Sequence, residues 1–308
     1  MKKQNAATGL ATETPGRWRE RFYQLVAPPP TQNKEPLPAT RKAGRNLPAA
    51  IGVGLALVGL IALTLWLHKL AFLGLMSLAI CVGLWELAGG VARVGVLLPL
   101  PPLWLGTFGT VASAYFYGPE AMFSAFVATV GLSVAWRLMS GATPSAIRDA
   151  TVAVFAAAYL PLMAGFVALL ISPPRGIWYV LIFVAIPVAN DVGGYAVGVL
   201  FGRRPFAPSI SPKKSVEGLL GSLAFAIAVA VPSVLALGGA WWLGVLLGVL
   251  GVVAATTGDL AESLIKRDIG LKDMAATLPG HGGIMDRLDS LLLTAPVCYL
   301  LLPMALGG

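Results

Sequence analysis

The sequence predicts an all-α, polytopic membrane protein, and three observations lead to that fold class. The 308 residues are 57% hydrophobic and 12% charged, whereas soluble domains carry about 25% charged residues. Several apolar runs are long enough to cross a bilayer, because about 20 residues at a rise of about 1.5 Å each span a hydrocarbon core of about 30 Å. The alternation of apolar and polar positions that a membrane β-barrel requires is absent from runs such as AAIGVGLALVGLIALTLWL.

The positions of these runs predict about nine membrane spans. The first run begins only near residue 47 and is too long for the core of a signal peptide, so we expect no cleaved secretory signal. In chain order, the predicted spans cover residues 47–67, 71–91, 96–116, 121–137, 150–171, 177–201, 218–237, 241–261 and 289–306.

Composition divides the chain into three regions. Residues 1–45 hold nine Lys and Arg against three acids and are rich in proline, which is typical of a disordered cytoplasmic tail that helps to fix topology. A short basic amphipathic helix lying on anionic lipid, within PGRWRERFYQLV, is the alternative. We expect an N-terminal transmembrane region over 46–175 and a second transmembrane region over 176–308, which carries the polar loop 263–289.

The distribution of Lys and Arg predicts the orientation. With nine spans and the tail in the cytoplasm, 20 of the 22 Lys and Arg residues lie on the cytoplasmic side, and only Lys69 and Arg175 lie outside. Because basic residues favour the cytoplasmic side of a membrane, we expect the C-terminus outside and the loops 202–217 and 262–288 in the cytoplasm. The net charge of +8 then reflects topology and contact with anionic membrane lipids, and no interleaved aromatic and basic face indicates a nucleic-acid partner.

Three acidic residues lie within or at the ends of predicted spans, where an ionised carboxylate costs about 2.5–3.5 kcal/mol at the bilayer centre. Glu86 lies near the cytoplasmic end of its span, and a solvated interface residue is one interpretation of it. Asp191 is followed by Gly193 and Gly194, which suit close helix packing or a break that lines a cavity, so we expect Asp191 in a polar pocket. Asp259 follows a glycine near the end of the eighth span.

Acidic residues are concentrated between residues 259 and 289, where six acids accompany four bases in a basic chain. Two pairs of these acids are three residues apart at predicted helix ends, so each pair shares one helix face. Carboxylates from two helix ends can converge on one or two Mg²⁺ ions, although a solvated acidic face is the alternative. The predicted metal ligands are Asp259, Glu262, Asp286 and Asp289.

Basic residues and glycines are interspersed with these acids. Arginine binds phosphate oxygens in bidentate fashion and lysine as a point charge. The basic residues concerned are Lys266, Arg267, Lys272 and Arg287. The turn PGHGG, residues 279–283, allows backbone N–H groups to approach an anion closely. Acids for a metal, bases for phosphate and a glycine turn together indicate phosphoryl or nucleotidyl transfer.

A second polar loop, FGRRPFAPSISPKKSVEG at residues 201–218, repeats part of this pattern. Its basic pairs fix topology on one interpretation and bind an anion on the other. Ser215 followed by Glu217 resembles the start of a helix. Because both loops are predicted on the same side of the membrane, we expect them to bind one substrate together.

A resemblance to a known family rests on residues 263–289, SLIKRDIGLKDMAATLPGHGGIMDRLD. They resemble the signature of the phosphatidate cytidylyltransferases, also called CDP-diacylglycerol synthases. That signature reads S-x-aliphatic-K-R-x4-K-D, then L-P-x-H-G-G, then aliphatic-x-D-R-x-D, and every fixed position is present. The segments GDLAES and SPKKSVEG are also similar to the family, so the resemblance extends over about residues 180–305. Ser215-Val216 departs from the usual threonine and larger apolar residue, but the serine retains the hydroxyl group.

The resemblance implies that CTP and phosphatidic acid react in an Mg²⁺-dependent step to CDP-diacylglycerol and pyrophosphate, in phospholipid biosynthesis at the cell membrane. It implies catalytic roles for Asp259, Asp286, Lys266, Arg267 and Arg287. It implies contacts with the phosphates of CTP or phosphatidate for Lys213, Lys214, Ser215, Ser263, Lys272, His281, Gly282, Gly283 and Asp191. The sequence leaves open the number of metal ions, a monovalent cation such as K⁺ beside Mg²⁺, and a homodimer.

Two alternatives come from other classes. An ion-coupled secondary transporter would use Glu86, Asp191 and Asp259 as a relay near the bilayer midplane, whereas most acids here lie in one cytoplasmic segment. The nearer alternative is another membrane transferase that acts on lipid phosphates. The chain contains no D-G-x2-A-R…G-x3-D-x3-D run and no GxxxxGK[ST] motif. Cys81 and Cys298 lie inside apolar runs and predict neither a disulfide nor a metal site.

Overall fold

The computed structural model describes residues 28, 30–31, 47–139, 141, 145–275, 277 and 282–304, without the side chains of 47–51, 53–55, 212 and 213. The predictions for the N-terminal tail lie outside the described residues, apart from three positions in it. Those for His281 and for the side chain of Lys213 also lie outside them.

Helices account for most of the described chain. They are α1 (Leu47–Leu67), α2 (Lys69–Ala92), α3 (Leu100–Tyr117), α4 (Pro119–Met139), α5 (Ala146–Ile171), α6 (Gly176–Phe201), α7 (Val216–Ala236), α8 (Trp241–Asp268) and α9 (Met285–Met304). Helix α5 continues through a π-helical turn at Ala158–Leu162, which contains Pro161. An antiparallel hairpin of β1 (Pro205–Ala207) and β2 (Ser211–Ser215) connects α6 to α7.

Seven of the described helices, α2 and α4 to α9, are long and apolar enough to cross a membrane. The prediction of an all-helical membrane protein is therefore confirmed. Helix α3 is not among the seven, and the apolar part of α1 that the structure describes covers only Ala56–Leu67. The number of nine spans therefore stays a prediction.

The predicted span boundaries agree with the helices to within a few residues except at α8. That helix continues to Asp268 rather than ending near residue 261. Lys266 and Arg267 lie in its last turn, where positive charge interacts favourably with the helix dipole. Gly270, with a φ of +71°, follows the helix end. The segment 263–289 is therefore a loop only in its middle, because its first residues extend α8 and its last residues begin α9.

Close contacts between helices bring the polar loops together. A Cβ atom on Gly193 of α6 would lie 2.6 Å from the carbonyl oxygen of Gly221 on α7. A Cβ atom on Gly258 of α8 would collide with the backbone of Asp289 on α9. Small residues at such crossings allow backbones to approach closely in a membrane. The ends of α6 to α9 that adjoin the polar loops therefore converge on one region.

A buried ion pair fixes the loops of the N-terminal half. Nε of Arg137 lies 3.0 Å from Oδ2 of Asp149, and the Asp149 side chain is fully buried. The Ser145 hydroxyl donates to the same carboxylate at 3.1 Å, and the Leu97 N–H donates to its other oxygen at 3.3 Å. Because a buried carboxylate is stable only with such partners, this cluster ties α4, α5 and the loop before α3 into one unit.

Candidate active site

A polar cavity of about 420 Å³ lies where the ends of α6, α8 and α9 meet the β-hairpin and the start of α7. Eight of the residues that the sequence predicted for the site line this cavity. They are Asp191, Lys214, Ser215, Asp259, Lys266, Asp286, Arg287 and Asp289. The structure thus brings residues from both predicted loops to one place, as expected.

Lys266 connects the two ends of the signature segment. Its ammonium nitrogen lies 2.7 Å from Oδ1 of Asp286 and 3.2 Å from Oε2 of Glu262. Glu262 is one helical turn before Lys266 on α8, so the i,i+4 spacing places the two side chains on one face. Asp286 belongs to the first turn of α9. Lys266 therefore neutralises two nearly buried carboxylates from different helices.

The second oxygen of Asp286 binds the backbone of the loop. Oδ2 accepts hydrogen bonds from the N–H groups of Gly283 at 2.8 Å and Met274 at 3.3 Å. Gly282 has a φ of +80°, and a Cβ atom there would lie 2.9 Å from the same oxygen. The glycine pair of the turn therefore packs against the Asp286 carboxylate. The sequence predicted that the backbone of this turn approaches an anion, and in this structure that anion is Asp286.

A second ion pair crosses the cavity between the hairpin and α8. Lys214 of β2 binds Asp259, and the Ser263 hydroxyl donates to Oδ1 of Asp259 at 3.4 Å. Ser215 accepts a hydrogen bond from the Gly218 N–H at 3.0 Å and thereby caps α7. The predicted helix start at Ser215 is confirmed, and its capping holds Lys214 at the edge of the cavity.

Glu262 and Asp289 are both buried, and Asp289 lines the cavity. Glu262 has no exposed surface, and neither of its oxygens accepts a hydrogen bond from a described residue. Two adjacent buried carboxyl groups require a nearby cation to be stable in ionised form. Lys266 supplies part of that charge here.

Among the residues that the structure describes, no three Asp, Glu, His or Cys side chains are close enough to form a metal cluster. Mg²⁺ does not need such a cluster, because it usually binds one or two carboxylates and completes its shell with water and substrate phosphates. The predicted ligands Asp259, Asp286 and Asp289 line one cavity, with Glu262 behind them. The donor set therefore fits a hard divalent cation.

Asp191 lies in the predicted pocket and is held by its neighbour. The Asn190 amide donates to Oδ1 of Asp191 at 2.9 Å, and Ser222 donates to the Asn190 carbonyl oxygen at 2.6 Å. Thr256 of α8 donates to Oδ1 of Asn190 at 3.4 Å. Asn190 and Thr256 also line the cavity, and the sequence predicted neither of them, although Asn190 directly precedes Asp191.

Several predicted substrate contacts do not line the cavity. Arg267 and Lys272 are exposed, and Arg267 donates to the carbonyl oxygen of Leu271 at 3.4 Å. Arg267 follows Lys266 directly, and one residue rotates the side chain by about 100° around a helix. Gly282 and Gly283 are also outside the cavity lining, and the N–H group of Gly283 is bound to Asp286. The phosphate contacts of Arg267 and Lys272 stay predictions.

Asp273 was left without a function by sequence reasoning and lies in the cavity lining. Asp268, the other unassigned acid, is exposed at the end of α8. Glu86 is 1% exposed, so the interpretation as a solvated interface residue is wrong. Its carboxylate accepts hydrogen bonds from the N–H groups of Ile284 and Met285 at the start of α9.

An apolar cavity of about 200 Å³ lies next to the polar one. It runs between α1, α2, α5, α6 and α9, and its lining includes Ala79, Phe183 and Leu292. Arg287 belongs to the lining of both cavities. The Arg287 guanidinium group therefore lies at the boundary between the polar and the apolar cavity.

The fold defines a polytopic membrane protein whose polar cavity is lined by both acidic and basic side chains. The Cytidylyltransferase family model matches residues 48–305, and the chain belongs to this family.

Several proteins named phosphatidate cytidylyltransferase are similar to this chain, over different shares of its length. A phosphatidate cytidylyltransferase of Mycobacterium bovis is 37% identical over 316 residues, which cover 98% of this chain and 99% of that protein. One of Mycobacterium leprae is 41% identical over 279 residues, which cover 85% and 89% respectively. One of Synechocystis is 42% identical, but over 42% of this chain only.

Proposed function

We propose that this protein is a phosphatidate cytidylyltransferase, which converts CTP and phosphatidic acid into CDP-diacylglycerol and pyrophosphate. The observation that carries the proposal is Arg287, whose side chain lines both a polar cavity and an apolar one. A nucleotide with a charged triphosphate suits the first, and an acyl chain suits the second. A lipid phosphate held at the junction would meet the nucleotide there.

The chemistry requires two anions to meet. An oxygen of the lipid phosphate attacks the α-phosphorus of CTP, a new P–O–P bond forms, and the bond from the α-phosphorus to the bridging oxygen breaks to release pyrophosphate. The catalytic task is to align the groups and to neutralise their charge. A phosphate monoester is largely dianionic near neutral pH because its second pKa is about 6, so the attack needs no strong general base.

The lysines of the site are positioned to supply that neutralisation. Lys214 and Lys266 both line the cavity and are held by carboxylates. A lysine ammonium has three donors on a flexible stem, so each can bind a phosphate oxygen while it keeps a carboxylate partner. Arg287 is exposed and can bind the lipid phosphate in bidentate fashion.

Mg²⁺ is the proposed cofactor, and one or two carboxylates of the predicted set would hold it, with water and substrate phosphates as the other ligands. That set is Asp259, Asp286, Asp289 and Glu262. When bound there it would neutralise triphosphate charge and polarise the phosphorus centre. The nearly buried carboxylates of Glu262 and Asp286 support this assignment, since one lysine alone balances them among the described contacts.

The proposed location is the cell membrane, with the cavity open to the cytoplasm and the C-terminus outside. The excess of Lys and Arg in the tail and in the loops of the cavity side supports this orientation. CTP is a cytoplasmic solute, whereas the lipid stays in the bilayer, so a cavity at a helix end on that side is accessible to both.

The test is an assay with purified protein in detergent, labelled CTP, dioleoyl phosphatidic acid and MgCl₂. Formation of both CDP-diacylglycerol and pyrophosphate, abolished by EDTA and restored by excess Mg²⁺, is the expected result. A cytidylyltransferase relative prepared in the same detergent is the positive control. Absence of both products while the relative is active would contradict the proposal.

A further inference from the structure

Glu86 connects the N-terminal half of the chain to the start of α9. Its carboxylate is buried against the turn that precedes the helix. Oε1 accepts a hydrogen bond from the Ile284 N–H at 3.0 Å, and Oε2 accepts one from the Met285 N–H at 2.8 Å. The Thr277 hydroxyl donates to Oε1 as well. One side chain of α2 therefore binds three groups of the signature segment.

We propose that Glu86 is a positioning residue for cytidylyl transfer, and this inference rests on the proposed function. Its carboxylate binds the first amides of α9 and so fixes the direction in which Asp286 and Arg287 enter the two cavities. Asp286 and Arg287 follow directly after Met285, whose N–H group Glu86 holds. A shift of the first helical turn would move both side chains at once.

The chemistry of helix ends explains why a carboxylate stands here. The first N–H groups of a helix have no partner within the helix, and they carry partial positive charge from the helix dipole. Asp286 accepts from Gly283, while Glu86 accepts from Ile284 and Met285. Two carboxylates thus divide three consecutive amides between them. Since no Lys or Arg of the described residues forms an ion pair with Glu86, these donors are what stabilises its buried charge.

Gly283 provides an independent observation for the same contact. A Cβ atom at this position would lie 2.5 Å from Oε2 of Glu86 and 3.0 Å from its Cδ atom. Any larger residue would therefore push the carboxylate away from the helix start. The second glycine of the turn is matched to the Glu86 side chain, as the first is matched to Asp286.

The rest of α9 is held by apolar packing that does not involve Glu86. Leu292, Ala295, Cys298 and Leu302 are all buried in the core of the bundle. Removal of the Glu86 carboxylate should therefore loosen the first turn and leave the helix in place. Local order at the start of α9 and the stability of the whole protein can therefore be measured separately.

The first experiment compares Glu86→Gln and Glu86→Ala with the wild-type protein. Glutamine keeps the size of the side chain and one acceptor oxygen, but its amide NH₂ cannot accept from the second N–H group. We expect kcat to fall about 10- to 100-fold in the alanine variant, which is typical for removal of a group that orients a ligand. Glutamine should give a smaller loss, and the apparent Tm in detergent should stay within a few degrees of the wild type. Glu120→Gln, at an exposed acid of α4, is the matched control.

The second experiment tests direct contact with a double-mutant cycle. Gly283→Ala alone should lower kcat, because the new methyl group displaces the carboxylate. In the Glu86→Ala background the space is vacated, so the added methyl group should lower kcat little further. Independent losses that multiply in the double variant would overturn the inference. If the alanine variant at Glu86 is poorly folded, the comparison of Glu86→Gln with the wild type decides the question.

Hydrogen exchange of the substrate-free protein separates this inference from the proposed function. Loss of the Glu86 carboxylate should raise the exchange rate of the amides at residues 284 and 285, with little change in the later turns of α9. If the wild type makes no CDP-diacylglycerol but this exchange rises, the proposed function fails and the contact stands. If Glu86→Gln retains wild-type kcat and exchange, the proposed function stands and Glu86 is no positioning residue.

Discussion

Lys266 and Asp286 are 20 residues apart in the chain, yet the ammonium nitrogen of the one lies 2.7 Å from a carboxylate oxygen of the other. Their pairing joins the last turns of α8 to the first turn of α9. It thereby brings the two ends of the signature segment together at the polar cavity. Both ends of the segment are therefore helical, and one ion pair connects them.

Asp286→Asn is expected to lower kcat by about 100-fold or more, because it removes charge that would hold the metal and orient Lys266. The size of the side chain is retained, so the variant should fold, but the loss of a nearly buried ion pair should lower its apparent Tm. Steady-state kinetics with CTP and dioleoyl phosphatidic acid provide the measurement. Asp268→Asn is the matched control, since Asp268 is exposed at the end of α8 and lies outside the cavity lining. Near wild-type activity of Asp286→Asn would remove Asp286 from the metal ligands.

Lys214→Gln is expected to raise the KM of one anionic substrate about 10-fold, and Lys214→Arg should retain most of the affinity. A charge-assisted hydrogen bond contributes about 1.5–3 kcal/mol, which corresponds to roughly a factor of ten or more in an equilibrium constant. The KM values for CTP and for phosphatidic acid, measured separately, identify the substrate concerned. Equal kinetics for the glutamine variant and the wild type would mean that the basic residues of the loop 201–218 fix the membrane topology and do not bind substrate.

The sequence predicts the helices well because apolar runs of membrane length are a strong local signal. It also predicts the cavity residues Asp259, Lys266 and Asp286. Their spacing on two helix ends and the resemblance of their segments to a family signature are both visible in short stretches of sequence. The separation between Lys266, which lines the cavity, and Arg267, which does not, follows from helical periodicity once α8 is known to continue to Asp268.

The contacts of Glu86 could not be predicted in the same way. Its partners Ile284 and Met285 are 198 and 199 residues away, and an acid near a span end has the same local pattern whether it faces solvent or a helix terminus. The partner is set by the packing of α2 against α9, which depends on the whole bundle. Asn190 was missed for a similar reason, because an uncharged polar residue in an apolar span carries little signal of its own.

Gly193→Ala is expected to destabilise the fold, because its Cβ atom would lie 2.6 Å from the backbone oxygen of Gly221 and 2.7 Å from Cβ of Phe225. Overpacking of this kind costs about 1–3 kcal/mol, and it should also separate α6 from α7 near the cavity. A thermal scan in detergent, together with kcat/KM, measures both effects. Gly131→Ala in α4 is the control, because a Cβ atom there would meet no atom within 4 Å. Equal stability of the two variants would contradict the tight crossing.

The apolar cavity makes a prediction about the lipid. Ala79→Phe should fill part of it from α2 and so exclude the end of an acyl chain. At about 0.8 kcal/mol for each buried CH₂ group, the loss of two methylene contacts lowers binding roughly 10-fold. The kcat/KM for dioleoyl phosphatidic acid should therefore fall by about that factor relative to the value for a dihexanoyl substrate, which is too short to reach the filled space. Ala71→Phe, at an exposed position of the same helix, is the control. An unchanged ratio of the two substrates in Ala79→Phe would mean that the acyl chains bind elsewhere, even if the protein transfers cytidylyl groups as proposed.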